Sequence, residues 1–551
     1  MGKRILIVGG VAGGASAAAR LRRLDEQAEI IMFERGEHIS YANCGLPYFV
    51  GGVITKRNNL FVQTPASMRK RFNIDVRVQN EVIRIYPKEK EVEVKDLVTG
   101  EVYREAYDYL ILSPGASPFV PDIAGIKLPN VFTFRKFTDS DLVKRQIELA
   151  KPQSAVVIGG GFIGLEMAEN LRKFGAAVTL VEMANQVMPP LDYEMAVFIH
   201  QELKRNGVNL CLKEKVVAIE GTNRAEAVVL ASGSRIPAEM VIVAIGVRPE
   251  VHLAKEAGLA IGSTGGILVD EYLRTSDPFI YAIGDAIQVK DFVNGHDTHI
   301  PLAGPANKQG RLVADTIAGI PSKYKGTQGT AIVQVFDLVA ASTGNNEKTL
   351  RKLGSEYLAS YTHPASHATY YPGAVPMSIK LLFTPRDGKI LGAQIVGSKG
   401  VDKRIDVLAT AIRAGLTVFD LTELELAYAP PFSSAKDPVN MAGYVASNIV
   451  KGDMEIIHWH EIAGLNPEES VLVDVRTPRE VEAGTIPGAI NIPVDELRER
   501  LGELPRDKEI IVFCQVGLRA YIATRILRQH GFKRVKNLSG GWMTYRSAVL
   551  Q

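Results

Sequence analysis

Cysteine is scarce in this sequence, and no apolar run is long. Only three cysteines occur in 551 residues, Cys44, Cys211 and Cys514, and their wide separation excludes a C-x-x-C pair and the spacing of a metal-ligand cluster. We therefore predict no structural disulfide and no metal site. No uninterrupted apolar stretch reaches the roughly 20 residues that span a bilayer, so no membrane segment is predicted.

The sequence also lacks an excess of one charge. The formal net charge is +3 at pH 7, without the basic stripe that binds nucleic acid or a membrane surface. The N-terminus, basic and then apolar, breaks into glycines at residues 9–14 without a cleavage-like end, so no signal peptide is predicted. These features predict a cytoplasmic protein. The length predicts three or four domains, because one core rarely exceeds about 250 to 300 residues.

The first glycine cluster follows an apolar run, Arg4 to Val8, which predicts a buried strand. An alanine-rich helix is predicted next, from Ala15 to Leu24, and a second strand ends in Glu34, 20 residues beyond Gly14. An acidic side chain there can bind the hydroxyl pair of a ribose. Val11 replaces the middle glycine of G-x-G-x-x-G, which weakens the pattern. Strand, glycine turn and helix together still predict a dinucleotide site.

The second glycine cluster matches the fingerprint in full. Ala155 to Ile158 is a predicted strand, residues 159–164 read GGGFIG, and a helix and a further strand lead into Glu182. A carboxylate at that position accepts hydrogen bonds from a free 2′-hydroxyl and repels a 2′-phosphate. The sequence therefore predicts two dinucleotides, and NADH as a better donor than NADPH.

A Gly284-Asp285 pair stands behind a predicted buried strand, more than 200 residues after the first fingerprint. With both fingerprints, it makes residues 3 to about 445 resemble the two-dinucleotide flavoprotein disulfide reductases, in which this pair holds the ribityl chain of FAD. Residues 109–116 and 243–249 resemble the two domain-crossing segments of that family. The resemblance implies an FAD-binding domain (1–119 and 250–325), an inserted NAD(P)H-binding domain (120–249), both Rossmann-like, and an α+β dimerisation domain (326–450) that forms a homodimer.

The cofactor contacts that the fingerprints and the resemblance imply lie in the glycine loops, at the two strand-end acids, in the crossing segments and in the helix start aimed at the flavin ring. These residues are Gly9, Gly10, Ala12, Gly13, Gly14, Glu34, Arg35, Asn43, Ser113, Gly115, Gly159, Gly161, Phe162, Ile163, Gly164, Glu182, Gly246, Gly284, Asp285, Pro301, Leu302 and Ala303.

Cys44 is the candidate redox thiol of the first domain. It opens a predicted helix, whose N-terminus favours the thiolate; the alternative is a small buried hydrophobe. No second cysteine lies within reach, so any redox cycle uses this one alone. Single-cysteine relatives include NADH oxidases, peroxidases and coenzyme A-disulfide reductases. The first glycine loop lacks the histidine of the peroxidase type, and residues 40–48 resemble the coenzyme A-disulfide reductase stretch.

A separate unit is predicted at 457–551, after a linker at 451–456. Two apolar strands are expected, and the second, Ile510 to Phe513, runs into the loop Cys514 to Arg519. Six residues between strand and helix can curl so that several N–H groups point at the sulfur. This unit resembles the rhodanese domain, an α/β fold, although Thr485 stands where that family often has histidine.

The whole chain therefore resembles the family in which a coenzyme A-disulfide reductase is fused to a rhodanese, which includes NAD(P)H-dependent persulfide or polysulfide reductases. The resemblance implies reduction of coenzyme A persulfide, polysulfide or coenzyme A disulfide at Cys44 with FAD and NADH, and sulfane sulfur transfer at Cys514 with Arg519. The acceptor stays open. The residues that it places around coenzyme A are Arg20, Arg23, Ser40, Asn43, Lys70 or Arg71, and Lys436.

The same resemblance implies that Tyr370 or Tyr371, with Tyr428, reaches the partner subunit's active site. The alternative for Tyr428 is a core aromatic, and for Lys436 a solvated surface charge. Two other functions stay open for the chain: an NADH oxidase or peroxidase that cycles Cys44 through sulfenic acid, and a redox or sulfur sensor without turnover.

Overall fold

The computed structural model describes residues 2–550, which form two compact units. Of the described residues, the first unit comprises 2–184 and 207–329, and the second comprises 185–206 and 330–550. Among the described residues, no helix is both long and apolar enough to cross a membrane.

A parallel five-stranded sheet forms the core of the first unit. Its strands are, in spatial order, Ile280–Ala282, Tyr109–Leu112, Arg4–Val8, Glu29–Glu34 and Asp75–Val78. The central strands are apolar along their length, as expected for a sheet covered on both faces. Helix Ala12–Leu24 packs against helix Ala303–Ile317. The close approach requires glycine, because a Cβ at Gly310 would lie 2.4 Å from the Gly13 carbonyl oxygen.

A second parallel sheet of the first unit repeats this plan. Its order is Asn209–Leu212, Ala177–Glu182, Ser154–Ile158, Met240–Val243 and Val131–Thr133. Helix Phe162–Lys173 begins directly after the second glycine loop. The two predicted crossing segments pair with each other as antiparallel strands, Ala116–Pro118 with Val247–Pro249. Two three-stranded sheets complete the unit: Asn80–Tyr86, Glu91–Asp96 and Val102–Ala106, and Val216–Glu220, Ala227–Leu230 and Arg235–Pro237.

The second unit contains an antiparallel sheet in the order Ala331–Val335, Leu338–Gly344, Ile390–Gly397, Met377–Phe383 and Leu358–Thr362. Helices Val401–Ala414 and Pro438–Val450 follow it, so the strands-then-helices prediction is confirmed.

Helix Tyr193–Arg205 departs from the predicted domain plan. The sequence placed it in the 120–249 segment, but it groups with the second unit. The reason is a buried ion cluster: the Lys380 ammonium lies 2.8 Å from Asp192 Oδ2, 2.5 Å from Glu194 Oε1 and 3.1 Å from Glu347 Oε1. Three carboxylates around one buried cation hold the segment to the antiparallel sheet, since an unpaired buried charge would be costly.

The C-terminal part of the second unit has a parallel sheet in the order Glu455–Ile457, Val535–Leu538, Glu509–Phe513, Ser470–Asp474 and Ile490–Asn491. Helices Leu518–Gln529 and Gly541–Val549 pack with it. Its edge strand Glu455–Ile457 begins within the predicted linker at 451–456.

Shorter elements connect these sheets. The remaining α-helices are Leu46–Val50, Pro65–Phe72, Phe137–Ala150, His252–Glu256, Glu347–Lys352, Asp420–Glu423 and Pro478–Glu482. The 3₁₀ turns are Asn43–Gly45, Arg57–Leu60, Gly284–Ala286, Trp459–Gly464 and Leu501–Glu503, and the remaining strands are Val289–Lys290 and Asp297–Thr298.

Candidate functional site

A cavity of about 630 Å³ in the first unit joins the first glycine loop, Cys44 and the start of helix Ala303–Ile317. Ten of the residues singled out from the sequence line it: Ala12, Arg20, Arg23, Ser40, Asn43, Cys44, Asp285, Pro301, Leu302 and Ala303. The fold therefore brings together residues that lie up to 291 positions apart in the chain, counted from Ala12 to Ala303.

The first glycine loop lies at the wall of this cavity. Gly9 has φ +97°, and a Cβ there would lie 2.1 Å from the Ser113 carbonyl oxygen. Glu34 accepts hydrogen bonds from the N–H groups of Gly10 (3.0 Å) and Gly36 (2.8 Å). The thin loop leaves the N-terminal end of helix Ala12–Leu24 open to the cavity, which suits a pyrophosphate. Size, thin loop and strand-end acid together fit FAD.

The second glycine loop has the same construction. Gly159 has φ +105°, and a Cβ there would lie 2.4 Å from the Ala244 carbonyl oxygen. The Glu182 carboxylate accepts from the N–H groups of Gly160 (2.7 Å) and Ala184 (2.8 Å). Gly161 precedes the helix that Phe162, Ile163 and Gly164 begin. These features fit a second dinucleotide.

Asp285 is joined to a residue that the sequence did not indicate. Its Oδ2 accepts from Arg135 Nη2 at 2.6 Å, and Arg135 Nε donates to the Ala116 carbonyl at 3.2 Å. Both side chains line the cavity. Nothing in the sequence pairs two residues 150 positions apart, so this contact was not foreseeable.

Cys44 lies in the 3₁₀ turn Asn43–Gly45, just before the five-residue helix Leu46–Val50. Cys44 is exposed at the cavity, so it is not the small buried hydrophobe of the alternative reading, and its surroundings do not favour the thiolate as the helix N-terminus predicts. Burial raises the pKa of Cys44, and the Glu166 carboxylate raises it further, while Arg135 lowers it. Desolvation outweighs a weak dipole, because a helix of one turn has little macrodipole.

Glu166 is a second group near Cys44 that the sequence did not indicate. The Tyr48 hydroxyl donates to its Oε1 at 3.3 Å. Burial raises the pKa of Glu166 to about 7, and burial followed by the charge of Glu166 raises the pKa of Tyr48 to about 12. Glu166 therefore changes charge near neutral pH, within reach of the thiol.

Glu166→Gln is expected to shift the ionisation of Cys44 to lower pH. Above about pH 7 the wild-type Glu166 is ionised and opposes a nearby thiolate, whereas glutamine does not. The pH profile of Cys44 alkylation in the holoprotein, followed on the Cys44 peptide by mass spectrometry, measures this. Glu148→Gln, on the exposed side of helix Phe137–Ala150, is the matched control and should leave the profile unchanged. An unchanged midpoint in Glu166→Gln would contradict the coupling.

The cavity also includes residues that the sequence analysis missed. Ser16 and Gln63 were not indicated, whereas Tyr41 lies in the stretch 40–48 and Asn307 and Arg311 lie in the predicted helix start, in each case without an assigned role. Asn307 and Arg311 follow Ala303 at four-residue intervals, so helical spacing was the signal that could have found them. The Ser16 hydroxyl donates to Asn307 Oδ1 at 2.6 Å across the two packed helices.

The predicted cationic residues divide into two groups. Arg20, which pairs with Asp315 at 2.8 Å, and Arg23 line the cavity. Lys70 and Arg71 are exposed on helix Pro65–Phe72, of which other residues face the cavity.

The other cofactor candidates lie after the second strand, in the two crossing segments and beside Asp285. Arg35 pairs with Glu250 at 3.3 Å. The Ser113 hydroxyl would lie 2.9 Å from a Cβ at Gly13. Gly115, Gly246 and Gly284 all have positive φ.

Two tyrosines of the second unit lie together on its surface. The hydroxyls of Tyr370 and Tyr428 are 2.7 Å apart, and the two residues are 74% and 46% exposed. The reading of Tyr428 as a core aromatic is therefore wrong. Tyr371, Phe432 and Lys436 are also exposed.

Cys514 follows strand Glu509–Phe513 and is 1% exposed. The Gly517 N–H donates to its Sγ at 3.1 Å, and Gly517 has φ +109°. Helix Leu518–Gln529 already begins at the fifth residue, so the loop is shorter than the six residues expected. Arg519, in the first turn, makes a bidentate pair with Glu480 at 2.6 and 2.7 Å.

Thr485 has a structural contact in place of the histidine typical of its family. Its hydroxyl donates to Asp474 Oδ2 at 2.7 Å, and Asp474 also pairs with the buried Arg476 at 2.6 Å. Thr485 therefore helps to hold the buried Asp474–Arg476 pair.

The structure has two dinucleotide-binding glycine loops, and the first of them opens into a cavity that contains Cys44. This arrangement defines an oxidoreductase of the flavoprotein disulfide reductase class. The chain carries a second cysteine loop at Cys514. The chain belongs to the pyridine nucleotide-disulphide oxidoreductase family, whose model matches residues 3–310. The dimerisation domain of that family matches residues 330–438, and a rhodanese-like domain matches residues 461–548. The predicted fold class and both resemblances are confirmed.

Three relatives are similar over most of the chain. A coenzyme A disulfide reductase of Staphylococcus haemolyticus is 35% identical over 448 residues, which is 81% of this chain and 100% of that protein. The crystal structure of reduced CoADR-RHD from Bacillus anthracis is 56% identical with a TM-score of 0.98, covering 100% of this chain and 99% of that chain. The NAD-dependent persulfide reductase from A. fulgidus is 40% identical with a TM-score of 0.92, covering 98% and 100%.

Proposed function

We propose that the protein uses NADH and FAD to reduce a persulfide or disulfide of coenzyme A at Cys44, and that its rhodanese-like domain supplies sulfane sulfur through Cys514. The observation that carries the proposal is the placement of Cys44 in the cavity formed with the first glycine loop. The names of the relatives support the substrate class. The three free cysteines support a reducing, cytoplasmic setting.

The FAD would be held by the cavity and by the first glycine loop, with Glu34 at its ribose and Asp285 at its ribityl chain. NADH would be held by the loop at 159–164 with Glu182. When bound, FAD would supply two-electron transfer between NADH and a disulfide. The boundaries 1–119 with 250–325, and 120–249, remain our proposal for the two binding segments.

Cys44 is the nucleophile. Its thiolate attacks the inner sulfur of a coenzyme A persulfide, so that a mixed disulfide forms, the original S–S bond breaks and hydrosulfide leaves. With coenzyme A disulfide, coenzyme A thiolate leaves instead. Over one cycle, one NADH and one proton convert one persulfide into one coenzyme A thiol and one hydrogen sulfide.

Coenzyme A would lie in the same cavity, beside its arginine side chains. Arg20, Arg23 and Arg311 line that cavity, and guanidinium groups suit phosphates. Ser40 and Asn43 flank the thiol. Asn43 Oδ1 is buried and has no hydrogen-bond partner among the described residues, so it is left to accept from a bound group. Lys70 and Arg71 are exposed and would reach only the outer phosphates, and Lys436 is exposed on the second unit.

The protein would act as a homodimer. The exposed pair of Tyr370 and Tyr428 lies in the second unit, within the part that includes the matched dimerisation domain. Exposed aromatic side chains are frequent at subunit interfaces. In the dimer, the two hydroxyls would donate hydrogen bonds beside Cys44 of the partner subunit.

Cys514 would carry sulfur as a persulfide. Its thiolate takes the terminal sulfur of a polysulfide, which leaves one sulfur shorter, and a small thiolate then removes that sulfur and regenerates Cys514. Arg519 lies one helical turn from the sulfur and adds positive charge to the loop.

Anaerobic NADH oxidation tests the proposal. We expect steady turnover with coenzyme A persulfide or coenzyme A disulfide, and hydrosulfide release with the persulfide. Turnover rates with glutathione persulfide and with polysulfide, compared with those for the coenzyme A substrates, rank the acceptors. NADH oxidation that requires oxygen would indicate an oxidase instead, and a single reduction of bound flavin without turnover would indicate a sensor; either result overturns the proposal.

NADH should be a better donor than NADPH. The Glu182 carboxylate lies at the end of strand Ala177–Glu182, where a 2′-phosphate would meet its charge. Steady-state kcat/KM for both donors measures the preference. Glu182→Gln should lower the ratio of kcat/KM for NADH to that for NADPH, because glutamine does not repel the 2′-phosphate. Glu226→Gln, a surface carboxylate outside the loop, is the control. A preference for NADPH in the wild type would contradict the assignment.

A further inference from the structure

The edge strand of the antiparallel sheet is covered by the rhodanese-like domain. In strand Leu358–Thr362, the Tyr361 N–H donates to Ser539 Oγ at 3.3 Å. One residue beyond the strand, His363 Nε2 lies 2.8 Å from Thr544 Oγ1. Gly540 fits between them with φ +73°, and a Cβ there would lie 2.8 Å from Tyr361 Cβ. We call these five residues, Tyr361, His363, Ser539, Gly540 and Thr544, the seam.

Tyr361 and His363, the dimerisation-domain residues of the seam, are held by further contacts within the second unit. His363 Nδ1 lies 2.9 Å from the Ser378 hydroxyl, so both ring nitrogens have partners. Burial lowers the pKa of His363 to about 4, which keeps the ring neutral at physiological pH. The Tyr361 hydroxyl donates to Glu194, a member of the buried Lys380 cluster, at 2.8 Å. The seam is therefore anchored to the core of the second unit.

The rhodanese-like side of the seam holds the sulfur loop. Between Gly540 and Thr544, the Trp542 N–H donates to the Cys514 carbonyl at 2.8 Å, and the Met543 N–H donates to the Gln515 carbonyl at 3.0 Å. A Cβ at Gly541 would lie 2.4 Å from the Cys514 carbonyl oxygen. The residues that hold the loop thus lie between the residues that contact the dimerisation domain.

We propose that the seam positions the Cys514 loop for sulfur transfer, with Tyr361 and His363 as positioning residues supplied by the dimerisation domain. The seam holds residues 539–544, these residues hold the carbonyls of the loop, and Cys514 is kept at 1% exposure. The proposal rests on the proposed function only in that Cys514 transfers sulfur. It does not involve Cys44 or the cavity.

Thr544→Val in the full-length holoprotein tests the proposal. Valine keeps the shape of threonine but removes the hydroxyl that lies 2.8 Å from the buried His363 Nε2, which favours opening of the seam by about tenfold. We expect Cys514 to be alkylated by iodoacetamide about tenfold faster, read on the Cys514 peptide by mass spectrometry. The kcat of thiosulfate sulfurtransfer should fall while KM stays, and NADH-dependent reduction of a small persulfide should be unchanged.

Thr524→Val is the matched control. Thr524 is an equally buried threonine of the same domain, but its hydroxyl bonds to the Ala520 carbonyl within its own helix. We expect less than a twofold change in Cys514 alkylation. Ser539→Ala, which removes the acceptor of the Tyr361 N–H, should act like Thr544→Val and replaces it if that variant does not fold.

Equal alkylation rates in Thr544→Val and Thr524→Val would overturn the proposal. So would faster alkylation with unchanged sulfurtransfer kcat, since the seam would then shield the loop without positioning it. If the wild type transfers no sulfur at Cys514, the proposed sulfurtransferase function fails, whereas the alkylation rates still decide whether the seam closes the loop.

Discussion

Cys44→Ser is expected to lose NADH-dependent reduction of every sulfur substrate, by roughly 10³-fold or more. Serine at this position has no thiolate to attack a persulfide or disulfide, and its hydroxyl is not acidic enough to replace one. Sulfur transfer at Cys514 should stay at the wild-type rate, because the two cysteines lie in separate domains with independent chemistry. Paired assays of NADH oxidation and thiosulfate sulfurtransfer measure both effects.

Cys211→Ala is the matched control for that variant. Cys211 lies half-buried in strand Asn209–Leu212, so its loss should cost stability and leave both activities. Retained persulfide reduction in Cys44→Ser would show that the reducing site lies elsewhere.

Cys514→Ser is expected to give the reverse pattern, with loss of sulfurtransfer by a similarly large factor. Reduction of a ready-made small persulfide should persist, because that substrate reaches the Cys44 cavity directly. Reduction of polysulfide should be impaired, since its sulfur must first be loaded onto a small thiol. One small persulfide and one polysulfide, assayed with the same enzyme preparation, separate the two routes.

The pattern would fail in one informative way. If Cys514→Ser also eliminated reduction of the small persulfide, the two sites would not be separable steps and the relay would be wrong. Thr524→Val controls for damage to the rhodanese-like domain, because it alters the same fold without touching the sulfur.

The glycine loops and strand-end acids could be predicted from the sequence because their signals are local. Gly9 and Gly159 follow apolar strands, and Glu34 and Glu182 end the next strands, so spacing alone places them at one sheet edge. The structure has this arrangement in both parallel sheets of the first unit.

Contacts between distant segments could not be predicted. Arg135 contacts Asp285 only because elements distant in sequence fold together. Helix Tyr193–Arg205 groups with the second unit because its Glu194 pairs with Lys380, a partner that lies far along the chain. The predicted lowering of the Cys44 pKa is opposed for the same reason, since desolvation and the Glu166 carboxylate, which raise this pKa, both come from tertiary packing.

The seam shows the same limit at the C-terminal end. The motif at residues 538–542 was recognised as part of a rhodanese domain, but its contact with Tyr361 and His363 depends on how two domains meet. No hydrophobic periodicity in either segment predicts this contact.

The most direct test of the account is the mass of the Cys44 peptide after enzyme with Cys44 as the free thiol and its flavin oxidised meets coenzyme A persulfide without NADH. We predict a mixed disulfide with coenzyme A at Cys44 and one hydrosulfide released per subunit, with the free thiol restored when NADH is added. An unmodified or sulfenic Cys44, together with hydrosulfide release, would contradict reduction through this cysteine.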